Sequence, residues 1–158
     1  MASSGAMVRA YVESLLKEAT GVEEVVTDED GDFPVRVGKV LFYVSIEGGD
    51  EPVVQIFSIA VRDVALTNEI LARVNEINGQ LRFCRMFFDD DGRVVVATEC
   101  VGLTLDEAEY RTATQAVAGA AEHFAPLIAA EFGGHLTFED ENDTEDQSKD
   151  DGHVGLYM

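Results

Sequence analysis

The sequence predicts an α+β domain: a twisted antiparallel sheet of five strands flanked by three helices, in the order α-β-β-β-α-β-β-α. Three observations predict it. Residues 67–132 run almost without linker through an amphipathic helix, an Asp-Gly hairpin and a long alanine-rich helix. Three segments dense in Val, Ile, Phe and Tyr precede them, divided by Gly38-Lys39 and Gly48-Gly49-Asp50. A short helical pattern opens the chain.

Each element has a local cause. Ser3 or Ser4 caps a first helix in which Val8, Tyr11, Val12, Leu15 and Ala19 recur at spacings of three and four, and Gly21 ends it. Residues 27–32 are turn chemistry leading into a strand at 33–37. Gly38-Lys39 reverses the chain into 40–47, and Gly48-Gly49-Asp50 reverses it again into 53–61. VLFYVSI and VVQIFSIAV carry apolar groups on both faces, which implies a sheet covered by helices on one side and by a partner on the other. A second helix from Thr67 repeats Ile70, Leu71, Val74 and Ile77. Asn78 helps to terminate it before Gly79, and Asn75 is expected to be exposed or bonded to a neighbouring loop. RFCRMFF and RVVVATECV form a hairpin about a two-residue Asp91-Gly92 turn. That register pairs Phe83 with Cys100 and turns Cys84 and Cys100 to opposite faces. Thr104 with Glu107 reads as a capping box that starts the last helix at Leu105, and Pro126 is expected to kink it.

Composition limits the function. At 158 residues, nearly half of them apolar, the chain holds one domain with a proper core. No apolar run is long enough for a spanning helix, and the start lacks the pattern of a secretory signal, so a cytoplasmic address is expected. A net charge of −20 argues against nucleic acid and anionic membranes as partners, since both are bound by clustered Lys and Arg. The domain is expected over residues 1–134. Residues 135–158 are expected to form a flexible tail, because 139–151 hold eight acidic residues and one lysine.

Chemical motifs are weak. Asp28, Asp30 and Asp32 imitate the start of a calcium loop, but Phe33 stands where a glycine is needed and Lys39 where a bidentate Glu belongs. His123, His135 and His153 lack ligand partners at metal spacing. No phosphate-cradling loop or nucleophile elbow is present, so no catalytic residue, metal or cofactor is expected, and the protein is read as a non-enzyme.

The segment NEINGQLRFCRMFFDDDGRVVVATECV, following three strands and preceding a capped long helix, resembles the YbjN family, which is similar in fold to class I type III secretion chaperones. The resemblance covers roughly residues 8–132. It implies a twisted antiparallel sheet flanked by helices, two subunits that pair, and an extended peptide lying along exposed apolar surface. The acidic end is a departure from the family pattern. The leading expectation is thus a peptide- or protein-binding chaperone-like module, homodimeric, with the second hairpin as interface. Phe83, Phe87, Val94 and Val96 are expected to supply its area, and Arg85 its polar selectivity. The alternative is a regulatory scaffold whose acidic tail engages a basic partner.

Overall fold

The computed structural model describes residues 3–137. Helix α1 (Ser4–Thr20) is capped by the Ser3 hydroxyl, which accepts from the Ala6 N–H, and ends at Gly21 with φ of 71°. It buries Val8, Val12, Leu15 and Leu16, while Tyr11 lies partly in solvent. Strands β1 (Phe33–Val37), β2 (Val40–Glu47) and β3 (Val53–Arg62) follow as a meander. Helix α2 (Asn68–Asn78) is capped by Thr67, and then come β4 (Arg85–Phe88), β5 (Val94–Val101) and α3 (Glu107–Phe132).

The sheet order is β1-β2-β3-β5-β4, antiparallel throughout. A sixth strand, β6 (His135–Leu136), pairs with Arg62 and Val61 of β3 and was not expected. Leu136 is buried in the core, so the ordered sheet extends past the expected boundary at 134. The expected acidic tail from 138 onward lies outside the described residues.

All three helices pack on one face. Val54 and Ile56 of β3, Phe42 and Val44 of β2, and Val94 and Val96 of β5 join α1, α2 and α3 side chains in one core cluster. A bulge between Ile59 and Val61 brings Val61 onto that same face. The opposite face carries Tyr43 stacked on Phe57 (ring centroids 5.2 Å apart), with Ile59, Phe87 and Val95. Among the described residues no helix covers it.

One expected helix boundary shifts. Helix α3 begins at Glu107, capped by Asp106, whose carboxylate accepts from the Glu109 N–H at 2.7 Å; Thr104 lies in a preceding 3-10 turn. Asp106 outcompetes Thr104 because an ionised acceptor at a helix start also complements the helix dipole. The helix continues through Pro126, which is exposed. No helix among the described residues is long and apolar enough to cross a membrane.

Candidate functional site

An antiparallel sheet has two edges, and each exposes backbone N–H and C=O groups that can pair with another chain. In this molecule both are blunted. At β4, Asn78 at the end of α2 donates from Nδ2 to the Met86 carbonyl and accepts the Met86 N–H at Oδ1, both at 2.8 Å. The amide side chain does the work of a neighbouring strand. Asn78 was expected to end its helix, with a partner-facing amide as the alternative; its pairing with β4 depends on where β4 lies in space, which no local pattern gives. At β1, Val37 and Val40 flank the Gly38-Lys39 turn, where Gly38 has the positive φ (59°) that such a turn requires at its first position. The pleat then directs Pro34 and Arg36 outward, and Pro34 has no N–H to offer.

One stretch stays open. Because Met86 faces Asn78, Arg85 and Phe87 direct their backbone groups to β5, where they pair with Ala97 and Val95. The alternation continues along β5, so Glu99 and Val101 aim their backbone groups to the same side. Pairing with β4 stops at Ala97, and no strand occupies that side of Glu99–Val101 among the described residues. The chain leaves the ladder at Phe83, a non-glycine residue at φ of 62° with a 71% exposed side chain. A bulky residue in the left-handed region costs about 1 kcal/mol or more, so this exit is held by its surroundings. The far end of β5 is fixed: the Gly102 N–H donates to the Pro52 carbonyl at 2.8 Å, and a Cβ at Gly102 would lie 2.6 Å from that oxygen.

Beside the open stretch lies a cavity of about 680 Å³ between β5 and the first turns of α3. Phe83, Cys84 and Arg85 form one wall, Thr98–Cys100 the strand side, and Asp106, Glu109, Thr112 and Ala113 the helix side. Arg85 grips Glu99 with two bonds of 2.6 and 2.7 Å and lies over the Phe87 ring. The hydrogen bonds from Arg85 hold the Glu99 carboxyl below its usual range against partial burial.

The expected site residues divide. Phe83 and Arg85 line the cavity, and Phe87 sits half-buried on the uncovered face. Val94 and Val96 are fully buried under the helices and supply no surface. The cause is a one-residue difference in register. The turn contains Asp90-Asp91-Gly92, with Gly92 at φ of 75° and Asp89 bonded to Arg93, so Phe87 opposes Val95 and Arg85 opposes Ala97. The same shift corrects the cysteines. Cys84 and Cys100 share a side of the sheet, both line the cavity, and both are free thiols.

Neither thiol is activated. Burial raises Cys84, and burial followed by the nearby Glu109 carboxylate pushes Cys100 up to about 11. Asp28, Asp30 and Asp32 do gather, with one oxygen of each within 4.8 Å of the others. Asp28 Oδ1 accepts the N–H groups of Asp30 and Asp32, as a turn requires. Burial, together with its two acidic neighbours, raises the Asp32 carboxyl, while a hydrogen bond with Ser45 opposes the rise. His123 is exposed, edge-on to Phe124.

Comparison with known proteins shows the kinship. A chain in the crystal structure of the ExsC–ExsE complex is similar over 75% of this chain and 93% of its own, with a TM-score of 0.59 at 18% identity. A chain in the structure of the Yersinia pestis type III secretion chaperone SycH, in complex with a stable fragment of YscM2, is similar over 70% and 96%, with a TM-score of 0.52 at 17% identity. Both likenesses speak for the fold. No curated protein matches by sequence. Residues 6–140 match the family model TY-Chap1, described as "T3SS (YopN, CesT) and YbjN peptide-binding chaperone 1", and the chain belongs to that family.

Proposed function

We propose that the protein is a non-enzymatic chaperone-like module that holds an extended client segment, and that it works in the cytoplasm as a homodimer. The open backbone of Glu99–Val101 beside the 680 Å³ cavity carries this reading. A client strand laid there gains main-chain hydrogen bonds from β5 and places alternate side chains into the cavity and over the uncovered face. Phe83 supplies apolar area at its mouth. The raised thiol pKa values favour holding over chemistry, because a nucleophilic cysteine needs the opposite shift. The apolar face around Tyr43, Phe57 and Phe87 supports pairing of two copies.

The test is an array of random dodecapeptides probed with the purified chain, with the binders then carried into amide hydrogen exchange. Slowed exchange at Glu99 and Val101 is expected. Binders that protect other segments, or an array with no binders, would overturn the reading. Sedimentation at micromolar concentration tests the pairing, and a monomer with an unprotected Tyr43–Phe57 face ends that part of it.

A further inference from the structure

We infer that the client segment presents a lysine or arginine side chain to the carboxylates of Asp106 and Glu109 at the opening of α3. The inference rests on the peptide-binding reading and names the chemistry of the peptide. On a strand added to Glu99–Val101, the side chain opposite Cys100 must point to the helix side, because Cys100 itself does. The cavity there is lined by Thr98, Cys100, Ala108, Thr112 and Ala113, all small, so a long unbranched stem has room to pass. Asp106 and Glu109 line the helix side of the same cavity, within reach of such a stem.

The charge balance favours a cation. The one basic group in the lining, Arg85, is already engaged by both oxygens of Glu99. The start of α3 adds roughly half a positive charge from its dipole, which two carboxylates outweigh. Glu107, alongside, is paired only loosely with Arg111 at 3.6 Å, with both groups in solvent. The same balance rejects the chain's own residues 139–151, whose eight acidic side chains would be repelled by this wall.

The dodecapeptide array decides the matter when it is read by composition, using the full chain and the double variant D106N/E109Q. Asparagine keeps the capping oxygen of Asp106, and thermal unfolding checks that the fold is retained. Among wild-type binders, Lys and Arg are expected about fivefold above their frequency in the array, at one position within an apolar stretch. The double variant is expected to lose that enrichment. It removes two of 31 acidic side chains, so attraction by overall charge would leave the enrichment intact. Enrichment that survives in the variant, or binders that are apolar without a basic position, overturns the inference while peptide binding stands. An array without binders removes both.

Discussion

The two flanks of the second hairpin meet the same hazard differently. Along β4 the outward backbone of Met86 is satisfied by Asn78, which blunts the edge at its middle. Along the far half of β5 the outward groups of Glu99 and Val101 have no strand beside them among the described residues, and Glu99 borders the cavity, because β4 ends at Arg85 and Phe83 carries the chain away. An unpaired edge is normally suppressed because it recruits strands from other chains. A fold that closes off Met86 with a dedicated side chain and leaves Glu99–Val101 open directs any strand pairing with another chain to the β5 side.

The largest effect should come from opening the closed side. Asn78→Leu leaves the N–H and C=O of Met86 without partners in a residue that is 2% exposed. Each buried unsatisfied group costs about 1–3 kcal/mol, so for the two groups a loss of about 2–6 kcal/mol is expected in urea unfolding, with new self-association through β4. Unchanged stability would mean that Asn78 does not close the edge. A smaller effect separates binding from folding at the open side. Phe83→Gly relieves the left-handed strain and removes an exposed ring, so stability should stay level or rise by up to about 1 kcal/mol. Peptide affinity should fall by about tenfold, or ~1.4 kcal/mol. A variant that loses stability and keeps affinity would reverse the roles assigned to the two sides.

The contrast between the two hairpins also shows what the sequence could reveal. In the first, Gly38-Lys39 admits one tight turn, and the strand limits 33–37 and 40–47 agree with the structure. In the second, DDDG allows a two- or a three-residue loop. The choice depends on Asp89, whose carboxylate accepts the N–H groups of Asp91 and Arg93 and fixes the longer one. Three consecutive valines, Val94, Val95 and Val96, give no alternation to break the tie. The slip therefore exchanged Val95 and Ala97 for Val94 and Val96. Element order and the family were legible, because capping residues, turn glycines and apolar periods are local. The cavity was half legible: Phe83 and Arg85 came from the hairpin, whereas Asp106 and Glu109 enter only because α3 packs against β5. The spacing of Asp106 and Glu109 did carry a capping signal, hidden behind the more familiar Thr104–Glu107 pair. β6 is two residues long and takes its place from contact with β3, which no local pattern announces.

The smallest effect concerns the clamp at the mouth of the open side. Arg85 and Glu99 are each about half exposed, so their pair contributes less than about 1 kcal/mol despite its two short bonds. Its pH dependence has a definite sign. Hydrogen bonds from Arg85 place the folded pKa of Glu99 below its unfolded value, so the folded state binds fewer protons there. The contribution is fully present above the unfolded value of about 4.3. It disappears as pH falls through the lower, folded value. The stability difference between the wild type and Glu99→Gln should therefore be constant near neutrality and shrink toward zero on acidification. A difference that grows on acidification would place Glu99 in a pair of the opposite sense.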